Sequence, residues 1–260
     1  MRNKIALGLT VVFSAFVFQS CDPWEDESYH PTGGGTDGPE VVMLLKEVKT
    51  VFNGAESLST YTYDGQNRLS KILNYMDIQT MNTYTETVYQ YPSNDHTIIV
   101  AKSHMNGELV STSQVDMKIL TSTTAQMTIT GGEFGDIITD ITFSSPCGIS
   151  KMITNMEFMG TPITSTTIHT YNDANCSYTE KVDGEWTQTV FNDDKYSPYS
   201  DPQAIAMGIF SHNPIKVEEA DGTIEIIAYQ YNENGYPTSA AHTFNQGGEQ
   251  ANYTETFTYY

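Results

Sequence analysis

Six histidines, three cysteines and 32 acidic residues are the side chains of this 260-residue chain that could hold a metal, attack an electrophile or move a proton. The histidines are His30, His96, His104, His169, His212 and His242. No two stand at i, i+2 or i, i+4, the spacings that would let one strand or helix present a pair to zinc. The chain has no Gly-x-Ser-x-Gly nucleophile elbow, no phosphate-cradling glycine loop and no Cys-x-x-Cys. A glycosidase would need two carboxylates flanking a sugar bond, but acids are so plentiful that no pair stands out. Asp193-Asp194 and Glu218-Glu219 read as solvated loop charges. The Asp-containing turns lack the alternating spacing of a calcium loop. Trp186, just after Asp183-Gly184, either packs in a core or offers a glycan or partner a stacking surface. No catalytic residue, metal site or cofactor is assigned, and Trp186 is the one candidate ligand-binding residue.

The cysteines divide into one near the N-terminus and two in the body. Arg2 and Lys4 precede an apolar run from Ile5 to Phe18, followed by Gln19-Ser20-Cys21. A charged start, a short apolar core and a small residue before the cut describe a secretory signal over residues 1–20. The run is shorter than the roughly 20 residues a spanning helix needs. Ser20-Cys21 resembles the lipobox cut by lipoprotein signal peptidase, which implies a lipid on the Cys21 thiol and attachment to a membrane. The following Asp22-Pro23-Trp24-Glu25-Asp26-Glu27 resembles the acidic tract of surface-exported lipoproteins in Bacteroides-type bacteria. The expected location is therefore the outer membrane, lipid-anchored, on the cell surface. Residues 28–40 are rich in glycine and proline, a flexible spacer, so residues 21–40 form a linker and a single domain occupies 41–260.

Charge limits the partners. The formal net charge is −20, and loss of Arg2 and Lys4 with residues 1–20 makes it −22. Such a chain resists nucleic acid and anionic lipid surfaces. Arg68 is the one arginine left, so no arginine cluster for phosphate exists.

The elements that must position any site are strands. Val115-x-Met117-x-Ile119, Met127-x-Ile129 and Ile224-x-Ile226 alternate apolar and polar residues, the pattern of strands with one dry and one wet face. Asn53-Gly54, Asn106-Gly107, Asp183-Gly184 and similar pairs punctuate them as hairpin turns. A longer repeat relates Tyr61-Thr62-Tyr63-Asp64 to Tyr229-Gln230-Tyr231-Asn232, with Tyr89-Gln90-Tyr91 and Thr170-Tyr171-Asn172-Asp173 as weaker copies. The starts at 61 and 89 are 28 residues apart, as are 229 and 257, so one unit is a strand, a turn and a returning strand. The repeat makes these tyrosines an aromatic ladder rather than a sugar platform. One stretch departs from it: Asp201-Pro202 predicts a short helix near 202–210. The fold class is all-β, an antiparallel up-and-down meander of hairpins closing into a barrel or half-open barrel. Cys147 and Cys176 fall in successive units with a strand between them. That predicts a separation near twice the ~4.8 Å strand spacing, too far for a disulfide, and hence two free thiols.

Tyr229–Thr238, the ending Phe257-Thr258-Tyr259 and the lipoprotein N-terminus together resemble a family of Bacteroides-type lipoproteins classed as a domain of unknown function with a porin-like fold. The resemblance implies an up-and-down sheet curled into a barrel or half barrel and brings no catalytic residues. Three functions follow as expectations. The first is a non-enzymatic cell-surface lipoprotein binding a glycan, nutrient or partner protein. The second is a surface-anchored polysaccharide hydrolase using paired carboxylates. The third is a transmembrane β-barrel, which would need an apolar band on every strand; Thr121-Ser122-Thr123-Thr124 and Thr164-Ser165-Thr166-Thr167 fit such a band poorly.

Overall fold

The computed structural model describes residues 43–132, 135–144, 147–158, 160–199 and 212–260. Every regular element among them is a strand. The first eight are β1 (Leu45–Phe52), β2 (Ala55–Tyr63), β3 (Leu69–Tyr75), β4 (Tyr84–Ser93), β5 (His96–Met105), β6 (Glu108–Thr121), β7 (Thr124–Gly132) and β8 (Gly135–Ser144). The second eight are β9 (Gly148–Phe158), β10 (Thr161–Tyr171), β11 (Tyr178–Val182), β12 (Glu185–Tyr196), β13 (His212–Glu219), β14 (Ile224–Tyr231), β15 (Pro237–Gln246) and β16 (Glu249–Tyr259). Each pairs antiparallel with its neighbours in sequence, and β1 pairs with β16 to close the barrel. The expected meander barrel is therefore present and fully closed. The predicted helix at 202–210 and Cys21 lie outside the described residues.

The two ends of the barrel are built from different turns. One end carries the first described residues and the C-terminus, with the Tyr260 amide donating to the Leu44 carbonyl at 3.0 Å. The other end carries tight two-residue turns at Asn53-Gly54, Asn106-Gly107 and Asp183-Gly184. In each, both residues adopt positive φ (50° and 82°, 52° and 81°, 52° and 89°), the conformation that matches strand twist and that Asx-Gly tolerates. At the terminal end the sequence repeat becomes a repeated turn. Asp64 Oδ1 accepts the amides of Gln66 and Arg68. Asn232 Oδ1 accepts those of Asn234 and Tyr236, and Asp173 Oδ1 those of Asn175 and Ser177. Three residues after each Asx, Asn67, Gly235 and Cys176 take the left-handed conformation. The tyrosines of the repeat lock neighbouring hairpins. Tyr91, Tyr171 and Tyr259 donate their hydroxyls to the carbonyls of Leu69, Ile149 and Pro237 at 2.6–2.7 Å, each 22 residues upstream.

The cysteines correct the sequence expectation: Cys147 and Cys176 form a disulfide, with Cα atoms 5.2 Å apart. The spacing argument placed them on strand axes, but neither is in a strand. Cys147 lies in the β8–β9 turn and Cys176 in the β10–β11 turn, both at the terminal end. Turn residues are free of the ladder spacing, so two hairpin tips can lean together over the β9–β10 pair.

The core fills the inside of the terminal end. Leu45, Val48, Tyr61, Leu69, Ile99, Val115, Ile141, Ile227 and Phe257 are all buried there, with Tyr63, Tyr91, Phe143 and Tyr259 packed against them. Toward the other end the inward face changes. On β6, Val115 is 1% exposed, whereas Ser113, two residues further along the same face, is exposed. On β16 the inward face passes from buried Phe257 to part-exposed Glu255 and Tyr253. The barrel is thus packed at the terminal end and open to water at the tight-turn end.

Candidate functional site

Strand alternation sorts the charges between the two faces of the sheet. Register places Lys49, Lys71, Lys102, Lys118, Lys151, Lys181 and Lys216 on the outer face. There they form ion pairs such as Lys49–Glu56 at 2.8 Å and Lys216–Glu218 at 2.6 Å. The inner wall carries Glu180 beside His169, and Glu225 and Glu255 beside His242.

The larger inner cluster spans β14, β15 and β16. His242 pairs in register with Ile227 on one side and Tyr253 on the other, so Glu225 and Glu255 reach it diagonally. Its Nδ1 lies 2.7 Å from Glu225 Oε1. Its Nε2 lies 3.3 Å from Glu255 Oε2, a contact whose alignment makes it an ion pair rather than a hydrogen bond. The ring stacks on Tyr253, with centroids 4.0 Å apart. Burial by itself would lower the pKa of His242, but the Glu225 hydrogen bond and the two carboxylate charges outweigh it and raise the pKa to about 9. Burial and the nearby carboxylates push the hydroxyls of Tyr253 and Tyr229 well above the ordinary tyrosine range.

A second cluster lies across β9 to β12. His169 Nδ1 meets the Ile149 carbonyl at 3.0 Å, and Nε2 meets Glu180 Oε2 at 3.0 Å. Thr187 donates to Glu180 Oε1 at 2.7 Å. Burial raises the pKa of Glu180, yet the His169 and Thr187 hydrogen bonds carry it below the usual carboxylate range. At the rim Glu219 moves the other way, raised by burial and by the charges of Asp221 and Glu225.

This wall can accept hydrogen bonds from hydroxyls or amines and offer aromatic faces beside them. Glu180, Glu225 and Glu255 are engaged by histidines, which disfavours their use as free acid and base. No group of three or more His, Cys, Asp or Glu among the described residues could hold a metal ion. Trp186 is not in the core. It is 42% exposed on the outer face at the start of β12, its Nε1 donating to Thr189 Oγ1 at 3.1 Å, and it belongs to neither histidine cluster. In sequence the histidines look scattered because Glu180 lies 11 residues from His169 and Glu225 17 from His242. Only strand register brings them together; a His and a Glu on inward positions of neighbouring hairpin strands was the available signal.

No family model matches the chain, and no curated protein matches it. Among solved structures it is similar to a porin-like protein from Bacteroides uniformis, with a TM-score of 0.58 and 10% sequence identity. The match covers 84% of this chain and 98% of that one. At that identity the likeness shows the fold alone, a closed antiparallel β-barrel similar to that of the porin-like protein.

Proposed function

We propose that the protein is a non-enzymatic lipoprotein of the cell surface, a water-bathed barrel that binds a glycan, nutrient or partner protein at its open end. The observation that carries this reading is the outer face of the sheet. Lys49–Glu56, Lys71–Glu86, Asp116–Lys118 and Lys216–Glu218 lie along it, and Thr254, Thr256 and Thr258 are exposed on β16. A charged side chain at the lipid midplane costs roughly 2–4 kcal/mol in a barrel, so a wall laced with ion pairs suits water. The first strand begins at Leu45, in the packed end. A lipid on Cys21 would therefore leave the open end facing away from the membrane, on a linker whose flexible reach is roughly 25 Å. Trp186, near the open rim, is the candidate stacking residue of this reading.

Three measurements test it. The chain from residue 22 onward should stay in solution without detergent, and metabolic lipid labelling should be lost on Cys21→Ala. Glycan-array and pull-down screens should then return a ligand. Empty screens alongside polysaccharide turnover would overturn the reading in favour of a hydrolase. The transmembrane alternative is favoured by the porin-like fold itself, and a detergent requirement for the chain from residue 22 would support it.

A further inference from the structure

Large apolar side chains are exposed both on the outer wall, among them Ile138, Ile168, Phe191, Ile224 and Ile226, and on the open rim. Three neighbouring hairpin tips on the open rim, β1–β2, β3–β4 and β5–β6, carry Phe52, Met76, Met81, Met105, Leu109 and Val110. Met76 is 70% exposed and Val110 59%. The tips form one continuous arc: the Ile78 amide donates to the Glu56 carbonyl at 3.0 Å, and the Gly107 amide to the Asn82 carbonyl at 2.8 Å. The arc is also built to hold its shape. Asp77 accepts hydrogen bonds from the Gln79 amide and the Thr80 hydroxyl. Met81 donates to the Asp77 carbonyl while its own backbone sits at φ 50°, a left-handed conformation that a long side chain rarely adopts. An ordered loop therefore presents methionines to water.

A rigid apolar arc of this kind marks a contact surface, and methionine thioethers adapt to varied apolar partners. The charges beside it have one sign. Asp77 and Glu108 stand on the arc, and no Lys or Arg occurs in any turn at this end. Lys49, on the strand below, is engaged by Glu56. We propose that this arc docks a cationic amphipathic segment of a partner polypeptide, its apolar face on the methionines and its basic residues toward Asp77 and Glu108. Opposite charge steers such a segment to the arc and selects against acidic ones. A second copy of this chain suits the arc poorly, because a symmetric contact would set Asp77 and Glu108 against their own counterparts between two bodies of net charge −20. An anionic lipid surface meets the same repulsion.

The inference rests on the reading of the open end as the working end, and it adds the chemistry of the partner. The test uses the chain from residue 22 to 260 and fluorescence anisotropy with a labelled helical peptide of lysine and leucine, about 18 residues long. Two control peptides replace leucine by serine or lysine by glutamate. The lysine–leucine peptide is expected to bind about tenfold or more tighter than either control, and more weakly at high salt. The triple variant Met76→Ser, Met81→Ser and Met105→Ser should lose about tenfold in affinity with little change in thermal midpoint, since all three residues are exposed. Asp77→Asn with Glu108→Gln should weaken binding several-fold and reduce its salt dependence. Equal affinity for all three peptides, or for wild type and the triple variant, overturns the proposal. So does concentration-dependent self-association, or sedimentation with phosphatidylglycerol vesicles, that the methionine substitutions abolish. Failure of the broader reading looks different: a detergent requirement for the unlipidated chain would sink the water-bathed barrel whatever the peptide result.

Discussion

His242 lets the inner wall be tested through its energetics. The imidazole is 6% exposed between Glu225 and Glu255, and its pKa is raised from 6.5 to about 9. A group whose folded pKa lies above its unfolded value stabilises the fold fully below the unfolded pKa. That stabilisation is lost as pH climbs through the folded pKa. The window here runs from about pH 6.5 to pH 9 and beyond. That rise, at about 1.4 kcal/mol per pH unit, corresponds to about 3.5 kcal/mol of stability. The perturbation is His242→Gln, which keeps a donor of similar reach and removes the titration. The assay is urea unfolding of the chain from residue 22, wild type and variant, at pH 6, 7.5 and 9.5. Wild type should exceed the variant by about 3 kcal/mol at pH 6, and the difference should shrink by about that amount at pH 9.5. The other histidines are common to both proteins and cancel. Parallel pH profiles would refute the reasoning, because they would mean that His242 is not a charged bridge between two carboxylates.

The disulfide closes a sequence separation of 29 residues, so Cys147→Ser with Cys176→Ser should cost about 3–4 kcal/mol by loop entropy; calorimetry showing an unchanged midpoint would contradict that. The boundary between packed floor and open half should appear as a contrast in denaturation. Ile99→Ala, at a site 2% exposed, should cost about 2–5 kcal/mol, whereas Ser113→Ala on the adjacent strand should stay within about 0.5 kcal/mol. Tyr259→Phe removes the hydroxyl bonded to the Pro237 carbonyl and should cost about 1 kcal/mol. Tyr91→Phe should cost the same through its bond to Leu69, and a neutral result for both would show that the tyrosine lock contributes nothing to stability.

What could be read from the chain was local. Val115-x-Met117-x-Ile119 names a strand with a dry face because side chains alternate with period two. Asn106-Gly107 names a tight turn because those residues tolerate positive φ. The match between Tyr63-Asp64 and Tyr231-Asn232 foretold a shared turn, since an Asx side chain reaches only backbone amides two and four residues on. The meander barrel was legible as a class, but the particular partners of distant residues were not. Closure sets Val48 beside Phe257, more than 200 residues away, and no neighbouring residue encodes it. Cys147 met Cys176 because two turns lean across the rim, where strand spacing no longer governs distance. His242 gained its two glutamates through the registers of three strands. Trp186 turned outward because a bulge in the β11–β12 register, between Glu180 and Lys181, sets its face. Backbone torsion and side-chain period belong to adjacent residues and are written along the chain. Register and curvature belong to the closed sheet as a whole, and they determine which face is inside, which charges meet and which end is open.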